Sequence, residues 1–137
     1  MKDLRTHVQA IDRRARAIRR RLPKSLAQQQ RRLSARIKQL LGNAGAVASA
    51  QLQEAVALIK DVDIHEELVR LASHLAHLRE ALASRGSIGK KLDFIAQELT
   101  REVNTIGAKA NDAAIAHAVV EMKEAIEKIR EQAQNLE

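Results

Sequence analysis

Residues that interrupt helices are scarce in this chain and confined to a few places. The 137 residues include one proline, Pro23, and five glycines, at positions 42, 45, 86, 89 and 107. Alanine, the best helix former, supplies 24 residues, whereas Phe occurs once and Trp and Tyr are absent. Because strands favour β-branched and aromatic residues and require frequent turns, this composition disfavours all-β and doubly wound folds. The sequence therefore predicts an all-α protein.

Several function classes are excluded by residue types that the chain lacks. Without cysteine there is no disulfide framework, no thiolate zinc site and no cysteine nucleophile, which suits the cytoplasm. No run of 18 apolar residues is present and the first residues carry no signal-peptide core, so we expect no membrane span. A single Phe excludes aromatic platforms for single-stranded bases, so we expect any nucleic acid to be contacted through its phosphates.

Positive charge is concentrated at the front of the chain. Residues 1–41 carry 13 Lys or Arg and two Asp, a net charge of +11, whereas residues 42–137 have a net charge of −4. Such asymmetry indicates a polyanionic partner. Two interpretations stay open for the cations: a solvated face of a packed helix, or a phosphate-binding surface. A membrane-surface helix is disfavoured because no Trp or Phe would anchor it. The candidate RNA-binding residues in this segment are Arg13, Arg14, Arg16, Arg19 and Arg20.

Apolar residues recur at helical spacing along the whole chain and predict six helices. Their approximate ranges are 3–22, 24–41, 50–60, 63–84, 88–106 and 112–135. Pro23 should end the first helix, and Ser49 should cap the third. Asp63 and Glu66 form a capping-box pattern at the start of the fourth, and Asn111 is the predicted cap of the sixth. An alternative is that the last two are one helix with a break near residues 107–111.

Long helices joined by short loops predict antiparallel hairpins that pack as a bundle. The leucines of 68–82 repeat at spacings of three and four, which favours coiled-coil-like contacts and association of several copies. We divide the chain into a basic helical region, 1–62, and a second helical region, 63–137, and expect one continuous helical unit.

Three groups of residues are candidates for chemistry. The loop Gly86–Lys91 is not a P-loop, because its glycines are separated by two residues instead of four. It is either a plain connection or a phosphate-attracting helix start with Lys90 and Lys91. The predicted helix 63–84 carries a second group on one flank, namely Glu67, Arg70 and His74. The third group follows in the next helix and consists of Gln97, Glu98, Arg101, Glu102, Asn104, Thr105 and Lys109.

Two carboxylates of the third group, Glu98 and Glu102, are four positions apart and repel unless a positive charge lies between them. The spacing leaves two interpretations open. One is a network of salt bridges between helices. The other is a carboxylate and histidine site for Mg²⁺ or Mn²⁺ that both helices build.

Three segments, 63–75, 89–109 and 124–137, resemble the C-terminal part of the YicC/YloC family of bacterial endoribonucleases. The resemblance covers most of this chain but only the latter part of a family member, since members carry a further N-terminal domain with β structure. We therefore expect a shortened homologue or a fragment that begins near a domain boundary. Thr100 and Ala108 depart from the family pattern, which often has Asn and Ser there, and neither change removes an ionisable group.

The resemblance implies metal-dependent cleavage of RNA by a ring-like oligomer, a hexamer, that encloses its substrate. The catalytic residues that it implies are His74, Glu98, Arg101 and Glu102. The implied ligands of a divalent Mg²⁺ or Mn²⁺ are Glu67, His74, Glu98 and Glu102. The implied contacts to RNA are Arg70, Lys90, Lys91, Gln97, Asn104, Thr105 and Lys109, beside the arginines at the front. The alternative is a non-catalytic helical module for RNA binding and oligomerisation.

Overall fold

A computed structural model confirms the all-α fold and shows four helices in the residues that it describes, where six are predicted. It describes the backbone of residues 2–41, 46–84, 86 and 88–136, and the side chains of these residues except 2, 37, 40, 41 and 46–63. The helices are α1 (Lys2–Leu41), α2 (Ala46–Ala83), α3 (Gly89–Lys109) and α4 (Ala113–Gln134). No strand occurs in these ranges. Among the described residues, no helix combines the length and the apolar character that crossing a bilayer requires.

The helices pack in a ring in which each contacts two neighbours. α1 contacts α2, α2 contacts α3, α3 contacts α4, and α4 returns to α1, while the backbones of the two diagonal pairs do not approach closely in the described part of the chain. Ion pairs show that α1 and α4 run antiparallel, and that α2 and α3 do so as well, as predicted. These pairs are Arg14–Glu121, Arg21–Asp112, Glu67–Lys109 and Arg70–Glu102.

The predicted apolar stripes form a single core over positions 4–22, 64–82, 92–106 and 115–129. Each helix places Leu, Ile, Val or Met at three- and four-residue spacing on the face that the other helices cover. The core of α1 and α2 includes Leu4, Val8, Ile11, Ile18, Leu22, Ile64, Leu68, Leu71, Leu75, Leu78 and Leu82. The core of α3 and α4 includes Leu92, Ile95, Leu99, Val103, Ile106, Ile115, Val119, Met122, Ile126 and Ile129.

Only part of the α1–α2 hairpin is covered by the other two helices. Asp112, at the start of α4, contacts Arg21, and Lys109, at the end of α3, contacts Glu67. From Arg21, α1 continues to Leu41, which is about 30 Å at 1.5 Å per residue. We call residues 24–41 of α1 and 46–63 of α2 the hairpin extension, because they continue past the four-helix part.

The predicted helix end at Pro23 is wrong, since α1 runs through it to Leu41. Proline lacks an N–H and its ring crowds the carbonyl four residues earlier, here that of Arg19. Pro23 is exposed, so water can donate a hydrogen bond to that carbonyl oxygen. Leu22 and Ser25, on either side of it, are buried. The helix packs against its neighbours on both sides of Pro23, and this packing outweighs the tendency of proline to end a helix.

The predicted break near residues 60–63 is also wrong. α2 is continuous over Ala46–Ala83, so Ser49 and Asp63 lie inside a helix and do not begin one. No Gly or Pro stands between positions 46 and 85, so nothing in the backbone forces an interruption. The side chains of Ser49 and Asp63 lie outside the described residues. The division of the chain at 62/63 stays a prediction.

The connection between α3 and α4 separates two helices, as the six-helix prediction has it. Ala110 has extended backbone, and the N-cap of α4 is Asp112, where Asn111 is predicted. An oxygen of Asp112, Oδ2, accepts a 3.0 Å hydrogen bond from the Ile115 amide. The cap therefore lies one residue later than predicted.

Asp112 also joins α4 to α1 through Arg21. Arg21 donates to Oδ1 of Asp112 through Nη2 at 3.0 Å and to Oδ2 through Nε at 3.2 Å, and the Asp112 side chain is 5% exposed. This hydrogen-bonded pairing holds the pKa of Asp112 below its ordinary value, and burial opposes the shift only in part. The same contact raises the pKa of Arg21.

A lowered pKa in the folded chain means that the Asp112 carboxylate stabilises the fold above its ordinary pKa, and that this stability is lost as the pH falls through the lowered value. We expect Asp112→Asn, which keeps a capping oxygen but removes the charge, to lower the free energy of unfolding at neutral pH. The difference from the parent chain should shrink towards about pH 3. Urea unfolding followed by far-ultraviolet circular dichroism measures it.

The neighbouring Asn111→Ala provides the control, because it removes no titrating group and its effect should not change with pH. A difference between the parent chain and Asp112→Asn that is the same at neutral and acidic pH would contradict the assignment.

Candidate functional site

Ionisable side chains of α2 and α3 meet where these helices pack together. α2 contributes Glu67, Arg70 and His74, whose spacing places them on one flank, and α3 contributes Glu102 and Lys109, two turns apart. Because the helices are antiparallel and adjacent, the two flanks face each other. We call these five residues the charged cluster.

Arg70 is the centre of the charged cluster. Its Nε donates a 3.0 Å hydrogen bond to Oε1 of Glu102, and its Nη2 donates to Oε1 of Glu67. Its Nη1 lies 3.9 Å from Oε2 of Glu66, which is not among the predicted site residues although it lies four positions before Arg70. The hydrogen bond to Glu102 is the main reason that the pKa of Arg70 is raised. One guanidinium therefore connects carboxylates from both helices.

The acids of the charged cluster are buried and its cations are partly exposed. The side chains of Glu67 and Glu102 are 4% and 8% exposed, whereas that of Arg70 is 47% exposed. Lys109, one-third exposed, places Nζ 3.4 Å from Oε2 of Glu67. Buried carboxylates are tolerated only when hydrogen bonds and opposite charges compensate their lost hydration. The result is a buried pair of carboxylates covered by two cations that reach solvent.

His74 lies at the edge of the charged cluster. Its Nε2 is 3.9 Å from Oε1 of Glu102, and its side chain is 22% exposed. Imidazole is the side chain that most often transfers protons in enzyme active sites. The arrangement thus brings a proton-transfer group beside Arg70, a cation that phosphate oxygens could bind.

The remaining candidates on α3 are spread along the helix. Glu98 and Arg101 lie 4.0 Å apart, with Arg101 largely exposed. Gln97 donates to Asp93, Thr105 donates to the carbonyl of Arg101, and Asn104 is exposed. Lys90 and Lys91 are at the opposite end of α3 from Lys109, about 28 Å away along the helix. Of the third sequence group, only Glu102 and Lys109 therefore join the charged cluster.

The front arginines divide into paired and unpaired residues. Arg14 pairs with Glu121 of α4 and so joins two helices, whereas Arg16 pairs with Asp12 within α1 and is largely exposed. Arg13, Arg19 and Arg20 are exposed and make no ion pair with any described residue. All five lie on α1, whose backbone does not approach that of α3 closely in the described part of the chain.

The four implied metal ligands do not converge. Glu67, His74, Glu98 and Glu102 all belong to the described residues, and in this part of the chain no three His, Asp or Glu side chains are grouped so as to hold an ion. Glu67 and Glu102 instead accept hydrogen bonds from Arg70. The residues as arranged do not fit a preformed metal centre, and the metal ligand set stays a prediction. The salt bridges between helices, the other interpretation of these residues, are present.

We expect Arg70→Met to lower the urea midpoint of unfolding, because Glu67 and Glu102 would stay buried without their shared donor. Adding Glu67→Gln and Glu102→Gln to Arg70→Met should restore much of the loss, since no charge is then left uncompensated. Circular dichroism during urea titration measures both variants.

Arg101→Met is the matched control, since Arg101 is largely exposed on the neighbouring helix and should leave the midpoint unchanged. Equal midpoints for Arg70→Met and Arg101→Met would show that the charged cluster does not depend on Arg70.

Sequence comparisons agree with the resemblance of the three segments. The family described as "Endoribonuclease YicC-like, C-terminal" matches residues 18–137. A protein of Clostridioides difficile (strain 630) named probable endoribonuclease YicC is 44% identical over 107 residues, which cover 77% of this chain and 36% of that protein. A Haemophilus influenzae protein of the same name is 46% identical over 85 residues, which cover 62% of this chain and 30% of that protein.

The chain thus spans about a third of the length of the curated relatives it matches. The family match includes the whole of α2, α3 and α4, and with them all five residues of the charged cluster. The chain therefore belongs to the family of YicC-like endoribonuclease C-terminal domains.

Proposed function

We propose that this chain is the RNA-cleaving helical part of a YicC-like endoribonuclease and that it hydrolyses phosphodiester bonds at the charged cluster. The observation that carries the proposal is that Arg70, about half exposed, is held in place by two buried carboxylates, Glu67 and Glu102. The names of the relatives support the reaction class, since both are called probable endoribonucleases.

Arg70 and Lys109 are the groups that would bind the scissile phosphate. Guanidinium and ammonium groups form strong, charge-assisted hydrogen bonds to phosphate oxygens. Cations aimed at a phosphate also stabilise the negative charge that grows on its oxygens as water attacks phosphorus. Glu67 and Glu102 keep these cations in position before RNA arrives, so little rearrangement is needed in the reaction. This is the role we assign to the two buried carboxylates.

His74 is the group that would move a proton. In hydrolysis the attacking water must lose a proton, and the leaving oxygen must gain one. His74, within 3.9 Å of Glu102 and still open to solvent, can accept the first of these protons, and Glu102 would stabilise the imidazolium that forms.

A divalent metal ion, which the resemblance implies, has no preformed site among the described residues, so we assign no step to it. Glu98 is the next carboxylate before Glu102 on α3, and its contact is a 4.0 Å approach to Arg101. An assay of RNA cleavage with and without a chelator decides whether the reaction needs a metal ion.

The same proposal includes RNA as the substrate, the cytoplasm as the compartment, and assembly of several copies into a ring. The absence of cysteine suits a reducing compartment. Exposed apolar side chains, which include Phe94 at 62% and Val120 at 54%, support association with further protein surface.

A second candidate function is a non-catalytic module that binds RNA and assembles. The observation that favours it is that every residue of the charged cluster has a partner inside the chain. Such a module would bind RNA in a salt-dependent way and would not cut it, whichever metal ion is added.

We expect the purified chain to cut a labelled structured RNA, and His74→Asn to lower the rate by about 100-fold or more while leaving the circular dichroism spectrum unchanged. His77→Asn is the matched control, because His77 is exposed on the same helix one turn further on and lies outside the charged cluster. Gel analysis of cleavage in Mg²⁺, in Mn²⁺ and in EDTA measures the rates.

Each remaining outcome decides one part of the proposal. Equal rates for His74→Asn and His77→Asn would exclude His74 as the proton-transfer group. If a chain that carries both Glu98→Gln and Glu102→Gln cuts RNA at the parent rate, neither carboxylate is required for cleavage. Cutting that continues in EDTA would exclude metal dependence, and RNA binding without cutting in every condition would favour the non-catalytic module.

A further inference from the structure

A straight series of cations follows the outer edge of α1. At 100° per residue, its members lie within about 40° of one another and face away from the apolar stripe that includes Leu4 and Leu22. All are exposed, and they extend over about 38 Å of helix. The members of this outer basic stripe are Arg13, Arg20, Lys24, Arg31 and Lys38.

No described residue balances the charge of the outer basic stripe. The only acids of α1 are Asp3 and Asp12, and both precede Arg13. None of the five cations makes a hydrogen bond or an ion pair with a described residue. Arg20 and Lys24, four positions apart, repel each other. A solvated face usually mixes both signs of charge, so a sustained single sign indicates an anionic partner outside the chain.

The direction of the stripe explains why these cations pair with no described residue while their neighbours do. Arg14, Arg16 and Arg21 point sideways towards acids of α4 or α1 and pair with Glu121, Asp12 and Asp112. The five cations of the outer basic stripe point directly away from the bundle. Their charge is thus offered to solvent at regular intervals.

The chemistry of the stripe fits a phosphate backbone. Regularly spaced Arg and Lys can neutralise successive phosphates, which releases condensed counterions. A membrane surface does not fit, because the apolar face of α1 from Leu4 to Leu22 is buried in the bundle and α1 has no Trp or Phe to anchor it in lipid. Base stacking does not fit either, since the only aromatic side chain, Phe94, lies on α3.

A duplex suits the stripe better than a single strand. Double-helical RNA holds its phosphates in a rigid array, so a rigid helix can contact several of them without ordering the ligand first. A flexible single strand would have to be ordered, and proteins that bind single strands normally offset this through stacking on aromatic side chains. We propose that the outer basic stripe binds the phosphate backbone of double-helical RNA at a site separate from the charged cluster.

The two sites are separate because of the arrangement of the helices. The stripe lies on the side of α1 that faces away from its buried apolar face, whereas the charged cluster lies between α2 and α3. Lys24, Arg31 and Lys38 lie on the hairpin extension, beyond the four-helix part. A short RNA can therefore occupy the charged cluster without reaching the stripe, whereas a long duplex has phosphates for both.

The proposal is tested by Lys24→Gln, Arg31→Gln and Lys38→Gln combined in one chain. We expect its Kd for a duplex of about 20 base pairs to rise about tenfold or more, and the slope of log K against log salt to fall by about 0.9 for each phosphate that is no longer neutralised. Fluorescence anisotropy of end-labelled RNA, at several salt concentrations, measures both quantities. The matched control combines Arg5→Gln, Arg32→Gln and Arg36→Gln, which removes the same charge from exposed positions of α1 outside the stripe.

Three outcomes would count for or against the stripe. A strong effect of the stripe variant and a small effect of the control support it. Equal weakening by both variants would overturn it, because only total charge would then matter. Equal affinity for a single strand of the same length would overturn the assignment to duplex RNA.

The proposed function supplies a further readout, in the cutting of a short hairpin. If both proposals hold, the stripe variant cuts the short hairpin at the parent rate but binds the long duplex weakly. If no variant cuts any RNA, the proposed function fails while the binding result for the stripe still stands.

Discussion

The burial of Glu67 and Glu102 between α2 and α3 is the constraint on which the arrangement of the site depends. Two carboxylates removed from water must be compensated by nearby cations, and Arg70 and Lys109 provide this compensation from opposite helices. The register of α2 against α3 follows, since a shift of one turn would leave a buried charge alone. Cations that reach solvent, together with His74 at the edge of the charged cluster, are a consequence of the same contacts.

A second polar contact lies at the same level of the molecule. Arg21–Asp112 and Glu67–Lys109 both occur where α3 and α4 connect and where the four-helix part gives way to the hairpin extension. Leu and Ile stripes repeat every three or four residues, so apolar packing alone permits several alignments of two helices. These buried ion pairs select one alignment. They therefore set how much of α1 is covered and how much of it faces solvent.

Local patterns are sufficient for much of the fold. Helical spacing predicts the core face of every helix, and glycine-containing segments predict the ends of α1 and α2 and the start of α3. The predicted breaks at Pro23 and at 60–63 are wrong because tertiary packing of long helices outweighs a local break signal.

The site is predictable only in part. Spacing on two helices selects Glu67, Arg70, His74, Glu102 and Lys109, but which side chains pair across the interface depends on a register that a single sequence does not specify. The spread of Glu98, Lys90 and Asn104 away from the charged cluster follows from the same register.

The first residues of α1 have a consequence for where this folding unit begins. The family match starts at residue 18, yet Leu4, Val8 and Ile11 belong to the core and are at most 2% exposed. A domain boundary drawn at the match would cut through a continuous helix and leave the facing sides of α2 and α4 uncovered over about four turns. The natural unit for excision, transplantation or comparison of this bundle therefore begins before Leu4, ahead of the segment that sequence similarity detects.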